Sequence, residues 1–457
     1  MKTNTSFLLN GRTVDLAGAD PTQSLLRWLK ARQQHGTKEG CGDGDCGACT
    51  VAMVETDADG RSHYRAVNSC LLPIGALPGR EIVTVEGLAE GERLHPAQQV
   101  MVDGAGSQCG YCTPGFVMSL FVGRHDGDLS DHCIEGNLCR CTGYRPIRDA
   151  AKKLAALPIV EDRFGAALRQ ARAPLPSALL GDFHNPTSVA EALALKQGHP
   201  DAAWIAGATD LGVNLSRGQT VAPVLIALDR IAELQRIEIG DDAVRIGAGV
   251  PLSRLEHELA GLFPLLDDML PWFAAKQVKN RATFGGSLGS ASPIGDLAPI
   301  LLALDGSVHL AGPSGPRDLP IDGYFLDYRK TQRHPDELIV AVTLPKPHDL
   351  VTASYKIAKR QTDDISIVAA SYAIRLDGER RVQHVRLAYG GVAAIPKRAP
   401  KTEALLLGQV LGDALVEQAR ASLCEEFAPL SDHRADAGYR RALAGNLFVK
   451  FVAEKLA

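Results

Sequence analysis

Eight of the ten cysteines lie before residue 142 in two quartets, Cys41, Cys46, Cys49 and Cys70, then Cys109, Cys112, Cys139 and Cys141. Any fold this chain adopts must bring each quartet to one point, which demands two loop-bearing modules at its start. The first quartet reads C-x4-C-x2-C with a distant fourth cysteine, the plant-type [2Fe–2S] spacing rather than the C-x2-C-x2-C of bacterial two-cluster ferredoxins. Its loop carries Gly40, Gly42, Gly44 and Gly47, and glycine lets a backbone fold tightly enough to aim consecutive N–H groups at sulfur. The second quartet pairs Cys109-Gly-Tyr-Cys112 with Cys139-Arg-Cys141. Thr113 is expected as a helix N-cap with Pro114 at the first helical position, and Pro146 as the opening of a helix through Ile147 to Leu157. Four thiolates around a cluster are net negative, and two helix N-termini would offer them unpaired N–H groups and partial positive charge.

A structural zinc site is the alternative for each quartet. Zinc ribbons pair two C-x2-C-like units at short separation, which the triplet Cys41, Cys46, Cys49 does not do. Disulfides are the other use of clustered cysteine, but the first ten residues lack a sustained apolar stretch and a cleavage site, so a cytoplasmic location and thiolate ligands are expected. Cys133 and Cys424, outside the quartets, read as small buried hydrophobes.

The 457 residues exceed a single core and suggest about three domains. A net charge of −4, no basic run and 5% aromatic residues argue against a nucleic-acid partner. No stretch approaches ~18 uncharged apolar residues, so no membrane partner is expected either.

Ser6 to Leu16 alternates around Asn10-Gly11, a hairpin signal, and Thr22 to Gln33 places Leu25, Leu26 and Leu29 on one helical face. Strands are expected at Cys49–Glu55, Tyr64–Val67 and Ile82–Val85, giving a small grasp-type sheet over 1–86. Helical periodicity follows at Pro96–Val102 and Pro114–Val122, so 87–160 reads as a helical module around the second quartet. A stiff Pro/Ala-rich connector, Ala171–Leu180, ends a linker over 161–180. Short strands mixed with helices fill 181–348, and Pro345-Lys-Pro347 marks a boundary. Over 349–457 strands come first (Ser354–Ala358, Ile365–Leu376, His384–Tyr389) and helices after (Thr402–Glu426, Ala435–Leu456), an α+β order.

Two segments of the second half concentrate glycine, small hydroxyl residues and one aspartate: Ile205-Ala-Gly-Ala-Thr-Asp-Leu211 and Thr283-Phe-Gly-Gly-Ser-Leu-Gly-Ser-Ala-Ser-Pro-Ile-Gly-Asp296. Neither is a G-x-G-x-x-G, and Gly247-Ala-Gly249 lacks the third glycine, so a Rossmann site is not indicated. Such loops let backbone N–H groups approach a pyrophosphate while a carboxylate accepts from ribityl or ribose hydroxyls; they are equally tight turns at a sheet edge. One-electron clusters on the same chain favour the first reading, because a flavin accepts single electrons and delivers a hydride.

Gly36-Thr-Lys-Glu-Gly-Cys41, Cys46-Gly-Ala-Cys-Thr50, Gln108-Cys-Gly-Tyr-Cys-Thr-Pro-Gly115 and Gly136-Asn-Leu-Cys-Arg-Cys-Thr-Gly-Tyr-Arg-Pro146 together resemble the molybdenum hydroxylase family, and the second half resembles that family's flavin domain and C-terminal companion. The resemblance implies a multidomain α+β fold: a β-grasp plant-type ferredoxin domain, a helical-bundle [2Fe–2S] domain, a non-Rossmann α/β FAD domain of the vanillyl-alcohol-oxidase/PCMH-like type and an α+β C-terminal flavoprotein domain. The fused layout is similar to that of the bacterial xanthine-oxidising branch, whereas carbon monoxide-oxidising relatives split these modules between chains.

The resemblance further implies an oxidoreductase role without catalytic residues on this chain. Xanthine or hypoxanthine would be hydroxylated at a molybdopterin cofactor on a partner large subunit, in an αβ pair assembled as α2β2. Electrons would pass to the second quartet's cluster, then the first, then FAD and NAD⁺. An aldehyde, nicotinate or other N-heterocycle substrate and, from another class, a zinc-stabilised assembly protein are the alternatives. By the same matching, Gln108 would contact the molybdopterin cofactor. Ala203, Trp204, Ile205, Ala206, Gly207, Ala208, Thr209 and Asp210, with Thr283, Phe284, Gly285, Gly286 and Ser287, would hold the FAD diphosphate. Phe273 would lie against the isoalloxazine ring, Asp296 and Lys356 would take polar positions around the cofactor, and Asp363 would stand at the flavin edge where nicotinamide binds. Animal relatives carry a lysine four residues after Asp363, where this chain has Ile367, so a cation beside the flavin is missing.

Overall fold

Asn10 and Gly11 close the expected hairpin, with left-handed φ of 52° and 76° as a type I′ turn requires. The computed structural model describes residues 5–57 and 59–456, and they fall into two units: those up to Ile231 with Ala275–Ala282, and Ala232–Ala274 with those from Thr283 onward.

In the first unit the hairpin strands β1 (Ser6–Leu9) and β2 (Arg12–Asp15) precede helix α1 (Leu25–Ala31), strands β3 (Thr50–Thr56), β4 (Ser62–Asn68) and β5 (Glu81–Val83). The sheet order is β2-β1-β5-β3-β4, with β1 and β5 parallel. Ser24 caps α1 by accepting from Arg27 N, and the helix buries Leu25, Leu26, Trp28 and Leu29. Trp28 and Leu29 join Phe7, Val51, Met53 and Ile82 in one core.

Helices α2 (Pro96–Asp103), α3 (Thr113–Asp126), α4 (Asp131–Ile134), α5 (Arg145–Ala156) and α6 (Arg163–Leu168) follow. Their core, with Met101, Phe116, Phe121, Ile147 and Leu154, also includes Val54 and Tyr64 from the sheet. The span expected as linker therefore holds α6 and the strand β6 (Ala178–Leu180). Next come β7 (Phe183–Asn185), α7 (Val189–Gly198), β8 (Ala203–Ile205), α8 (Leu211–Ser216) and β9 (Leu225–Ala227). The sheet β6-β7-β9-β8 pairs β9 in parallel with both β7 and β8.

The Pro-rich connector does not divide the units. Residues up to Ile231 pack with the first unit because Arg230 donates to the carbonyls of Ala76 (3.1 Å) and Pro78 (2.7 Å). Asp229 sits between Arg80 (2.7 Å) and Arg281 (2.8 Å), and the three surrounding arginines hold its carboxyl far below the usual carboxylate range despite burial.

The second unit carries strands β10 (Ile237–Ile239) and β11 (Ala243–Gly247), then α9 (Leu252–Glu258) and α10 (Pro264–Phe273). The single turn α11 (Lys276–Lys279) belongs to the first unit. The second unit resumes with α12 (Phe284–Ser290), α13 (Leu297–Ala303), β12 (Ser307–Gly312), β13 (Gly315–Pro320), β14 (Phe325–Asp327), β15 (Lys330–Thr331) and β16 (Leu338–Pro345). An antiparallel sheet runs β10-β11-β16-β12-β13. Finally β17 (Val351–Ile357), β18 (Val368–Leu376), β19 (Val382–Gly390) and β20 (Lys397–Arg398) form an antiparallel sheet, followed by α14 (Pro400–Leu406), α15 (Asp413–Glu426) and α16 (Ala437–Lys455). The helix expected over Thr402–Glu426 is thus two, broken where Gly408 takes φ 77°. Ile367 lies in this core at 5% exposure with Val368, Tyr372 and Phe451, so a lysine there would bury its charge among apolar side chains. Among the described residues no helix is long and apolar enough to cross a membrane.

Candidate functional site

The first cysteine loop lies between α1 and β3. Gly42, Gly44 and Gly47 take φ of 76°, 97° and 63°, a backbone that Cβ-bearing residues resist. Gly40 is required for a second reason: a methyl group there would lie 2.5 Å from Cys46 Sγ. The loop aims amides at sulfur as expected, Cys41 N–H toward Cys46 Sγ (3.2 Å) and Cys46 N–H toward Cys41 Sγ (3.3 Å). Cys49 and Cys70 are buried at 2% and 1% exposure, their sulfurs within hydrogen-bond reach. The Cys41–Cys46 thiol bond lowers Cys46 to about 6 and raises Cys41, and Cys49 is lowered and Cys70 raised by the corresponding bond. Protein groups thus favour one thiolate of each pair.

The second loop pair repeats the pattern at the surface. Cys109 and Cys141 are exposed with sulfurs 3.4 Å apart. Cys112 is half-buried, and burial followed by the Cys139 sulfur pushes its thiol up to about 12. Cys139 Sγ accepts from Thr142 N (3.4 Å) and lies 3.1 Å from Thr142 Oγ1. The helix starts differ from the sequence reading. Cys112 itself occupies the N-cap of α3, with Thr113 as its first residue; Thr113 Oγ1 donates instead to Ser107 Oγ at 2.8 Å. Likewise α5 begins at Arg145 after Tyr144, whose φ is 67°. Tyr144 Oη accepts from Cys139 N at 3.1 Å, so the bend that starts the helix also holds the ligand loop.

All ten cysteines are unbridged, and each quartet presents sulfur alone. Four thiolates per site suit a cationic metal cluster, which would balance the charge that the thiols cannot carry together. Cys133 is buried, its thiol pushed up to about 12 and donating to Ser119 O at 3.1 Å. Cys424 is only half-buried, so it is a weaker case of the packed hydrophobe expected.

The two loops meet along a seam. Leu138 N donates to Cys46 O (3.0 Å), Asn137 Nδ2 to Gly47 O (3.0 Å) and Tyr111 Oη to Glu39 O (2.5 Å). Backbones touch there: a methyl group on Gly47 would come 2.1 Å from Gly136 O, and one on Gly115 would come 2.2 Å from Gly47 O.

The predicted nucleotide residues fall in both units. In the first, Ala203, Trp204 and Ile205 form β8, and Ala206, Gly207, Ala208, Thr209 and Asp210 make the loop into α8. Ala208 has φ 65°, and Gly207 packs on the Arg281 carbonyl so closely that a methyl group would lie 1.6 Å from it. Asp210 is exposed, whereas Ile205 is buried in the core. Helix α8 fastens this loop to the first quartet: Ser216 Oγ donates to Gly42 O (2.7 Å), and Gly212 lies against Leu71 O (2.4 Å for an added methyl group), next to Cys70.

In the second unit Thr283 caps α12, its Oγ1 accepting from Gly286 N at 2.9 Å. Gly285 packs on Ala248, while Gly286 is exposed and Ser287 half-buried. Phe284, placed by resemblance among the cofactor residues, is fully buried, so its ring serves the core and only its backbone can face a ligand. Asp296 has both oxygens engaged, by Lys356 Nζ (2.8 Å) and Ser366 Oγ (2.5 Å). Lys356 also donates to the Phe273 carbonyl (2.9 Å) and lies 5.7 Å from that ring's centroid. Phe273 is half-buried rather than plain core. Asp363 takes φ 52° and its carbonyl accepts from Arg360, and Gln108 is exposed beside Cys109. Ser366 and Gly212 were not read from the sequence; Asn137, Tyr144, Gly136 and Gly115 stood in the quoted motifs without an assigned role.

Four family models match the chain: a 2Fe-2S iron-sulfur cluster binding domain over 7–74, a [2Fe-2S] binding domain over 84–152, the FAD binding domain in molybdopterin dehydrogenase over 178–347 and the CO dehydrogenase flavoprotein C-terminal domain over 353–455. Both quartets lie inside matched 2Fe-2S domains, which sets the zinc reading aside. The chain is 32% identical to xanthine dehydrogenase of Emericella nidulans over 98% of its own length and 38% of that protein. It is 32% identical to xanthine dehydrogenase/oxidase of Mus musculus over 97% of its length and 38% of that protein. It therefore spans 38% of the length of these curated relatives. Among solved structures, carbon monoxide dehydrogenase from Hydrogenophaga pseudoflava aligns with a TM-score of 0.57 and 30% identity, covering 60% of this chain and 96% of that one. Quinoline 2-oxidoreductase from Pseudomonas putida 86 aligns with a TM-score of 0.56 and 25% identity over the same shares. With two sulfur quartets, the flavin-domain matches and these relatives in agreement, the chain belongs to the molybdenum hydroxylase family and carries its iron–sulfur and FAD electron-transfer domains.

Proposed function

We propose that this chain is the electron-transfer arm of an NAD-linked xanthine dehydrogenase whose molybdopterin-binding subunit is a separate chain, paired αβ and doubled to α2β2. When bound, the two clusters exchange single electrons and FAD turns two of them into one hydride. The observation that carries the reading is the continuity of fastened backbone within the first unit. The second quartet's loop is bonded to the first's through Leu138 and Cys46, and the first quartet's loop is bonded through Gly42 to Ser216 of α8, the helix that follows the loop ending at Asp210. Electrons entering at exposed Cys109 and Cys141, beside Gln108, would leave near that loop.

The residues have separable tasks. The eight quartet cysteines would hold the clusters, and the loop amides would stabilise the anionic sulfurs. The backbones of 203–210 and 283–287 would receive the FAD diphosphate, with Phe273 beside the ring. Lys356, fixed by Asp296, whose other oxygen accepts from Ser366, would position that phenylalanine's backbone. Asp363 would take the nicotinamide side. The substrate assignment follows the two xanthine dehydrogenase relatives; the likeness to quinoline 2-oxidoreductase supports an N-heterocycle as the second reading. Copurifying the chain with its partner and following NADH formation tests both. Xanthine-driven NADH is expected, and a fully loaded complex that reduces NAD⁺ only with another heterocycle or an aldehyde would replace the substrate while keeping the arm.

A further inference from the structure

The turn α11 places Gln277, 2% exposed, at the seam between the two cysteine loops. Its Nε2 lies 3.2 Å from Thr50 Oγ1, 3.3 Å from Ser119 Oγ and 3.3 Å from Asn137 Oδ1. Asn137 in turn accepts from Ser119 Oγ at 2.7 Å and donates to Gly47 O at 3.0 Å. The other end of the carboxamide, Oε1, is buried without a hydrogen-bond partner and lies over the bare Cα of Gly136, where a methyl group would sit 2.0 Å from it. An unpaired buried carbonyl oxygen opposes stability, and methionine would fill the same volume without it. The amide's distinguishing contribution is therefore its two N–H donors, shared among these three acceptors, which link one strand, one helix and one cluster loop.

We propose that Gln277 is a positioning residue for electron transfer between the two clusters. By locking Asn137 against Gly47 it keeps the adjoining Leu138–Cys46 hydrogen bond at one length. That bond closes the covalent route from Cys139, through the peptide of Leu138, to the ligand Cys46. In the step it serves, one electron leaves the reduced cluster of the Cys109 quartet, which is oxidised, and reduces the cluster of the Cys41 quartet; no proton moves and no bond is made or broken. A seam free to breathe would lengthen the route and weaken electronic coupling, although both sets of ligands stay intact. The inference rests on the electron-transfer reading above.

The test uses the full chain reconstituted with iron, sulfide and FAD, as wild type, Gln277→Met and the milder Ser119→Ala, which removes a hydroxyl shared by Asn137 and Gln277. Three quantities are measured: the EPR spin count of each cluster, the magnetic splitting between the two reduced clusters, and the rate at which an electron delivered by flash reduction redistributes between them. Gln277→Met should keep both spin counts while the rate falls severalfold and the splitting blurs into a distribution; Ser119→Ala should shift both readouts less. Unchanged rate and splitting in a fully loaded Gln277→Met chain would overturn the proposal, as would a rate that falls only in proportion to lost clusters. If Gln277→Met does not load, the same outcomes in Ser119→Ala decide. A wild-type chain that never holds two clusters would defeat the underlying reading instead, and the spin count shows that first.

Discussion

Truncating Asp296 to alanine should damage the second unit before any flavin is considered. Its carboxylate and the Lys356 ammonium, with side chains 7% and 4% exposed, lie 2.8 Å apart. Removing the acid leaves the ammonium with the Phe273 carbonyl at 2.9 Å and no counter-charge. Breaking a buried ion pair at one partner costs about 3–5 kcal/mol, and at roughly 2–4 °C per kcal/mol for a unit of this size the apoprotein should melt about 6–20 °C lower. Scanning calorimetry of apoprotein and FAD-loaded protein measures the loss. The double variant Asp296→Leu with Lys356→Met should recover most of the loss, since an apolar pair of similar volume is neutral or better than a buried ion pair. FAD retention in the double variant reports any direct use of these side chains. Melting of Asp296→Ala apoprotein within about 2 °C of wild type, or a double variant no better than the single one, would refute the reasoning.

Cys139→Ser should abolish one cluster's EPR signal and leave the other, because each quartet uses separate loops; loss of both signals would mean the seam, not the ligand set, governs assembly. Gly47→Ala adds about 1 kcal/mol or more of left-handed strain at φ 63° and meets a backbone oxygen at 2.1 Å, so cluster loading should fail without any ligand being touched; normal iron content would contradict the close approach. Burial among Tyr64, Phe121 and Phe164 lowers His125 to about 4 from 6.5. The unfolded chain gains that proton first, so stability should fall by about 3 kcal/mol as pH drops through this interval, and denaturant titrations of His125→Phe should lose that part of the slope. The neighbouring His95 accepts from Ala97 N at its Nδ1 and turns Nε2 toward Asp162, which leaves it no lone pair for a metal, so zinc added to the cluster-loaded protein, whose quartets are filled, should not raise its melting temperature.

What the sequence made legible was chemistry fixed by spacing. The quartets converge, Asn10-Gly11 turns, and the grasp sheet and C-terminal sheet form near their expected places, because alternation and turn residues are local signals. What escaped was set by distant partners. Thr113 looked like a cap, yet the ligand Cys112 takes that position because the cysteine loop dictates where the helix begins. Phe284 stood in a glycine-rich run, but its ring points into a core assembled from other segments. Gln277, Asn280 and Arg281 look like a solvated polar stretch, yet all three are buried, Asn280 donating to Ala66 O and Arg281 pairing with Asp229. No helical or strand periodicity distinguishes such a segment from surface.

The eight residues Ala275–Ala282 have a consequence for dissection. A gene cut at the Pro-rich connector would produce a fragment with both cysteine quartets but without Lys276, which lies 3.7 Å from the carboxylate of Asp126. Burial already raises that acid's pKa, and Arg65, at 4.0 Å, would be its remaining cation. An excised iron–sulfur piece is therefore an incomplete folding unit however natural its sequence boundary looks, and restoring it calls for grafting the missing octapeptide as well as extending the tail to Ile231.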